Sequence, residues 1–386
     1  MSHLSAVAEI SVHDLARALE AGDDIQVVDV RAPERVQQGR IDLAPAGRFY
    51  NIRGSELSTF TSLAGTGIDP RVPVAVVCGR GNDSKVLARH LNGLGADARS
   101  VCGGLAAWGC LALPRELPAP PTVDALVQFD RLAKGALGYL VVSDGEALVI
   151  DPPLDFTAFV DEAARRGARI VGVADTHVHA DYVSGASRLS REHGVPYYLH
   201  PADGDYPYDG RPGRLTITPI ADQHVIRVGR TTIRAHHNPG HTLGSVSYLL
   251  NGEAALTGDF LFVGSIGRPD LAGKTDEWTT LLWASVERAR RQWPASLAIY
   301  PAHYGGDGER NDDRSVGAPL SRLLGANPAL QQTTAGSFAA WVASHVRTFP
   351  EAYRTIKAVN VGLVDLTDEE AQELEIGRNE CALGGR

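Results

Sequence analysis

The stretch ADTHVHADYVSG, Ala174 to Gly185, sets His177, His179 and Asp181 within five residues. It continues the apolar run RIVGVADTH, which reads as a buried strand whose end delivers the first histidine. Imidazole nitrogen and carboxylate oxygen are the usual donors to zinc or ferrous iron. Position 182, where a further histidine would extend the donor set, holds tyrosine. A neutral phenol, with a pKa of about 10, is a poor substitute at neutral pH.

Three further elements share this pattern. NPGHTLGS puts His241 in a Pro-Gly turn, ALTGDFLF puts Asp259 just past a strand, and YPAHYGG does the same for His303. Side chains at strand ends and in the loops that follow can converge on one edge of a sheet, where sites of layered α/β folds lie. A helix is expected over Tyr182–His193, beginning beside the histidine pair. His200, His224, His236 and His237 fall in strands or polar loops and read as solvated or core residues.

Upstream, LGYLVVSDGEALVIDPP reads as two strands joined at Asp144-Gly145, a strong hairpin signal. A helix over Phe156–Arg166 leads into the strand before His177. LALPRELPAPPTVD, with four prolines, reads as a stiff connector. The expected division is therefore residues 1–112, a linker over 113–124, and residues 125–386. In the first part, IQVVDVR and VPVAVVC are strand patterns and Asp83–Gly95 has helical spacing with a glycine stop. Strand, loop and helix in that order predict a parallel sheet with helices on both faces.

Composition narrows the function. The 386 residues, 44% hydrophobic and 22% charged, are ordinary for globular domains. A net charge of −9 argues against a nucleic-acid partner, which requires surplus cations. No apolar run approaches the roughly 20 residues that span a bilayer, so no membrane partner is expected. No basic stretch precedes an apolar core at the N-terminus, so no secretion signal is expected. Cys78, Cys102, Cys110 and Cys381 suit neither a disulfide framework nor a Cys-x-x-Cys knuckle, which predicts a cytoplasmic location.

VVCGRGNDSKV places Cys78 at the end of a buried strand, before a glycine-rich loop and a helix. The loop Gly79, Arg80, Gly81, Asn82, Asp83 and Ser84 can curl its N–H groups toward the sulfur, and a helix N-terminus adds partial positive charge. Both favour thiolate and make Cys78 a candidate nucleophile, with room for an anion such as thiosulfate. The other reading is a small buried strand residue.

VVDVR, the Cys78 loop with its helix, and VCGGLAAW (Val101–Trp108) together resemble a rhodanese domain, a sulfurtransferase, over roughly residues 8–112. The resemblance implies that Cys78 carries a persulfide. Asp83 departs from the arginine that family loops often carry, and GRIDLAPAGRFYNI is longer than the usual segment. THVHAD, PGHT, TGD and YPAHY resemble the metallo-β-lactamase fold over about residues 122–305. That implies an αβ/βα sandwich, here with a helical C-terminal tail. Hydrolases of the fold usually hold two zinc ions, the second using Asp181, a histidine at 182, Asp259 and His303, so Tyr182 cripples that site.

With FLFVGSIGRPDLAG, the chain is similar to a persulfide dioxygenase fused to a rhodanese. The resemblance implies one Fe(2+) per chain on His177, His241 and Asp259, with Zn(2+) as the alternative. Two histidines and a carboxylate leave open positions on the metal, as in non-heme oxygenases. His179, Asp181, Tyr182 and His303 are then expected around the ligands. Arg268, in a Gly-Arg-x-Asp motif, is expected to bind a substrate carboxylate or to pair internally with Asp270. SVGAPLSRLLGANPAL and FPEAYRTIKAVNVG resemble the tail of such fusions and carry no identified chemistry.

The implied reaction is oxidation of a small thiol persulfide, glutathione persulfide by family expectation, with O2 to sulfite. Cys78 would exchange sulfane sulfur with thiosulfate, sulfite or the thiol carrier. A zinc hydrolase of a glutathione thioester or lactone, and a non-catalytic sulfur carrier, are the alternatives. The sequence leaves a homo-oligomer open.

Overall fold

The computed structural model describes residues 7–206 and 210–383. They form two compact units. One runs to Leu111 and takes in Arg131–Lys134 and Ile376–Arg378; the other holds Ala112–Asp130, Gly135–Glu375 and the chain from Asn379.

The first unit alternates strand and helix: β1 (Glu9–Ile10), α1 (Val12–Glu20), β2 (Gln26–Asp29), α2 (Pro33–Gln38), β3 (Phe49–Asn51), α3 (Gly54–Leu57), β4 (Val74–Val77), α4 (Asn82–Gly93), β5 (Ala98–Val101) and α5 (Gly104–Cys110). The sheet order is β1-β5-β4-β2-β3, with every pairing parallel. β2 and β4 are buried along their whole length, as strands covered by helices on both faces must be. The parallel α/β domain expected from the sequence is what forms.

The second unit is two facing sheets. The first has order β14-β11-β10-β9-β8-β7-β6, from β6 (Leu113–Leu117), β7 (Ala125–Arg131), β8 (Ala136–Ser143), β9 (Glu146–Ile150), β10 (Arg169–Ala174), β11 (Tyr197–Leu199) and β14 (Thr218–Pro219). A two-residue pair, β12 (Asp205–Tyr206) and β13 (Arg211–Pro212), lies between the last two in sequence. The second sheet runs β15-β16-β17-β18-β19-β20: Val225–Val228, Thr231–His237, Val246–Leu250, Ala254–Gly258, Ala298–Pro301 and Ala318–Pro319. The two-residue period of a strand divides each strand's side chains. In β8, Leu137, Tyr139 and Val141 enter the core between the sheets, where they meet Ile233, Val246 and Leu256. Leu140 and Val142 face outward and pack with Phe159 of α6 (Thr157–Arg165) and Leu189 of α7 (Ala186–His193). Each such buried side chain is worth about 1.5–3 kcal/mol. On the outer face of the second sheet lie α8 (Thr275–Gln292), α9 (Leu320–Ala326) and α10 (Ala335–His345). The tail adds α11 (Ala352–Asn360) and α12 (Asp368–Leu374). The result is the expected αβ/βα sandwich with a helical tail.

Two local expectations change and a third holds. Leu113–Leu117 is not a connector but an edge strand paired antiparallel to β7. Pro114 is tolerated there because an edge position spares the missing N–H. α7 starts at Ala186 rather than 182. The N–H groups of Val183, Ser184 and Gly185 are already taken by Glu375, Asn360 and the Pro152 carbonyl. The hairpin at Asp144-Gly145 forms, with φ of 51° and 72°, the left-handed pair such a turn requires.

Candidate active site

Cys78 ends β4 and is 3% exposed. Gly81 N and Ser84 N donate to its Sγ at 3.1 and 3.4 Å, and Ser84 Oγ lies 3.4 Å away. α4 begins at Asn82 with Gly81 as its cap, so its N-terminus faces the sulfur. Arg80 and Asp83 are exposed. The VCGGLAAW segment braces this cradle: Leu105 N and Ala106 N donate to the carbonyls of Cys78 and Gly79 at 2.9 and 3.0 Å. Gly104 makes the approach possible. Its φ is +60°, and a Cβ there would overlap the Cys78 carbonyl and come 2.7 Å from Gly81 N. Donors converging on a cysteine at a helix N-terminus can hold an anionic sulfur species.

In the second unit, His177 follows β10, His241 follows β16, Asp259 follows β18 and His303 follows β19. All are essentially fully buried. Asp259 Oδ2 is 3.7 Å from His177 Nε2 and 3.3 Å from His241 Nε2. These three donor atoms have no hydrogen-bond partner among the described residues, although burying unsatisfied polar atoms is costly. They lie within 4.8 Å of one another. Orphaned, converging nitrogen and oxygen donors fit a metal ion.

The surrounding bonds fix the ring orientations. His241 Nδ1 donates to the Arg268 carbonyl at 2.9 Å, leaving Nε2 as a lone pair toward the site. Thr176 Oγ1 donates to Asp151 at 2.9 Å and so accepts from His177 Nδ1 at 3.0 Å, which sets the same tautomer there. Burial, with neighbouring rings, holds His177 well below the usual imidazole range, and burial lowers His241. Both are neutral and ready to ligate. Burial would raise the Asp259 carboxyl, but His303 beside it outweighs that and brings it to about 2. Burial opposes charge on His303 too, yet Asp181 and Asp259 raise it to about 10.

His179, Asp181, Tyr182 and His303 lie around the triad. His179 Nε2 meets Asp151 Oδ1 at 3.0 Å and the Tyr182 hydroxyl at 2.9 Å. The Tyr182 ring stacks on His179 with centroids 4.3 Å apart. Of the two expectations for Arg268, the internal pair with Asp270 is present: the side chain is 1% exposed, and its guanidinium grips Asp270 through two 2.7 Å bonds and also donates to the Glu380 and Arg347 carbonyls. It braces the site. The preceding Gly267 lets this segment touch the centre, since a Cβ there would overlap the Asp259 carbonyl and sit 3.1 Å from His241 Cβ.

Four residues escaped the sequence reading. Asp151, at φ +52°, bonds Thr176 and His179. An acid closing an apolar strand, in LVIDPP, was its signal. Asp203 ties the two histidine loops, accepting from Val178 N, Thr242 Oγ1 and Gly244 N at 2.8, 2.8 and 2.6 Å. From α11, Asn360 Nδ2 donates to the His179 and Tyr182 carbonyls at 2.9 and 2.8 Å. Cys381 is buried beside Asp181 and His303. The last three carry no local pattern.

Two sheets with helices outside, and an imidazole–carboxylate centre on the loops at one edge, make an αβ/βα sandwich of the kind that holds a metal, here in one chain with a cysteine-cradle α/β domain. Residues 134–322 match the metallo-beta-lactamase superfamily, and residues 11–109 match the rhodanese-like domain. It is 32% identical over 184 residues to an uncharacterised Aquifex aeolicus protein, covering 44% of this chain and 85% of that one. It is 31% identical over 174 residues to the human mitochondrial persulfide dioxygenase ETHE1, covering 41% of this chain and 59% of that protein. A hydroxyacylglutathione hydrolase of Acidiphilium cryptum is 29% identical over 52% of this chain and 88% of its own length. The crystal structure of ETHE1 from Myxococcus xanthus superposes with a TM-score of 0.50 at 22% identity, covering 64% of this chain and 99% of that chain. No described helix is long and apolar enough to cross a membrane.

Proposed function

We propose that the chain is a persulfide dioxygenase with its own sulfurtransferase domain, acting in a reducing compartment such as the cytoplasm. The observation that carries the reading is the donor set itself: two imidazoles and one carboxylate, with Tyr182 turned to His179 and Asp151 instead of joining it. The likeness to the human persulfide dioxygenase supports the same reading. Ferrous iron on His177, His241 and Asp259 supplies dioxygen activation, whereas zinc would supply an activated water.

The overall reaction is RSSH + O2 + H2O → RSH + sulfite + two protons, with RSSH a small thiol persulfide of the glutathione class. The residues have separate tasks. Asp151, through Thr176, and the Arg268 carbonyl keep His177 and His241 in the tautomers that present Nε2. His303 holds Asp259 through a 2.6 Å bond from Nδ1 to Oδ1 and so leaves Oδ2 for the ion. In the other unit, the Cys78 thiolate takes sulfane sulfur from thiosulfate, releasing sulfite, or from a persulfide, releasing the thiol, and becomes a persulfide whose anion the loop N–H groups hold.

The test is metal analysis of protein purified without oxygen, together with persulfide-dependent oxygen uptake. About one iron per chain with uptake is expected. Zinc at the triad, hydrolysis of a glutathione thioester and no uptake would replace this reading with a hydrolase.

A further inference from the structure

A cleft of about 540 Å³ opens within the second unit. Its walls are α7, residues 214–216, the end of α11 and the start of α12. No residue of the triad lines it, nor does Asp181, Tyr182 or His303.

Bonds across the rim hold the walls in place. Arg214 N donates to the Val361 carbonyl at 2.8 Å, which seats residues 214–216 on the end of α11. Arg188 joins α7 to α12 through Asp368 at 3.1 Å and also bonds Glu192 at 2.9 Å, so its charge is answered. Arg191 has only a 3.4 Å bond to the Ser187 hydroxyl, and Arg214 has no ion pair among the described residues. Two guanidiniums therefore stand against the single carboxylate of Asp365, which leaves the cleft one positive charge. Between these groups the lining is apolar: Leu154, Val183, Leu215, Val359 and Leu366. The volume lies within the range of small-molecule sites, about 300–1,000 Å³.

Arginines reaching into water from a helix are ordinary. The floor beneath this pair is not. The Ser184 and Tyr197 hydroxyls both donate to Asp175 Oδ2 at 2.7 Å, and Asp175 Oδ1 lies 4.0 Å from His179 Nε2. Ser184 N donates to Asn360 Oδ1 at 2.9 Å, and Asn360 Nδ2 donates to the His179 and Tyr182 carbonyls. Ser184, Tyr197 and Asn360 all line the cleft. Its floor is thus the set of groups that holds residues 177–185.

We infer that the cleft binds a small organic anion, a carboxylate or phosphate head on an apolar body, and that this ligand is an effector of the metal centre. Arg191 and Arg214 supply charge-assisted bonds to the head, and the aliphatic lining covers the body. An occupant resting on Ser184 and Asn360 restricts the loop that carries His177. By linkage, a metal on the triad tightens the anion by the same factor as the anion tightens the metal. The site goes beyond the dioxygenase reading and needs of it only that the triad holds a metal.

The test titrates the intact metal-loaded chain with octanoate and with octyl phosphate in a calorimeter. Octanol, which lacks the charge, and acetate, which lacks the body, should each bind at least about tenfold more weakly. Arg191→Ala and Arg214→Ala should each weaken the better probe by about tenfold. Both side chains are exposed, so neither replacement disturbs packing. Tighter octanoate assigns a carboxylate head, and tighter octyl phosphate a phosphate one. Saturating probe should slow amide hydrogen exchange over residues 177–185 by about fivefold or more. No binding of either probe at millimolar concentration, equal binding of octanol, full affinity in both arginine variants, or binding that leaves that exchange unchanged would overturn the inference. Probe binding with slowed exchange but no persulfide-dependent oxygen uptake would sink the dioxygenase reading and leave this one standing.

Discussion

The Cys78 cradle and the metal centre are built on opposite plans. All donors to the sulfur come from one contiguous stretch, Gly81 to Ser84, braced by the segment after β5. The triad draws its ligands from three loops, and the groups orienting them from Asp151, Asp203, Arg268 and Asn360. A local site needs one strand–loop–helix unit to fold. A dispersed site needs the whole sandwich and its tail, so its geometry is coupled to the stability of distant elements.

The largest effects should separate the two. His241→Ala removes a triad donor, and oxygen uptake and iron content should each fall by about a hundredfold or more. Sulfur transfer from thiosulfate to cyanide should be unchanged, and a parallel loss would show that the sites are not independent. The converse variant, Cys78→Ser, should reduce that transfer to background while uptake on premade persulfide persists. If uptake also vanished, the division of labour between the two units would be wrong.

Gly104→Ala tests the brace instead of the nucleophile. The backbone at φ +60° and the overlap with the Cys78 carbonyl should cost about 1–3 kcal/mol in thermal or denaturant unfolding. Sulfur transfer should drop at least tenfold, because the loop N–H groups lose their aim. Full activity at full stability would show that the cradle does not depend on this segment.

How much could be read from the chain follows from the same contrast. The cradle was legible because its glycines, cysteine and helix start are neighbours. The candidate donors stood out because His177 and Asp259 follow visible strand patterns and His241 sits in a Pro-Gly turn, while their choice as a triad came from the family resemblance. Asn360 was not: its bonds reach back 181 and 178 residues, and a single asparagine near the end of a helix carries no signal. Cys381 was silent for the same reason. The prolines near residue 114 suggested a connector because they mark broken hydrogen bonding, which an edge strand also tolerates.

Asn360→Ala probes this invisible support. The variant leaves two buried carbonyls and the Ser184 N–H without their partner. Iron affinity should weaken by about 10- to 100-fold, the usual cost of losing support behind a ligand. Sulfur transfer should not move. Metal affinity unchanged within twofold would mean that the tail merely covers the site.

The smallest effect belongs to Tyr182. Its hydroxyl lies 2.9 Å from His179 Nε2 and 3.4 Å from the Asp151 carbonyl, and its ring is buried against His179. Tyr182→Phe keeps the ring and removes only the hydroxyl, a change worth about 1 kcal/mol in stability. Because the phenol oxygen is not among the triad donors, iron content should be unaltered and uptake should shift by less than about threefold. A tenfold loss of iron would make the phenol part of the coordination sphere. The centre would then no longer be the two-histidine, one-carboxylate arrangement on which the contrast with the cradle rests.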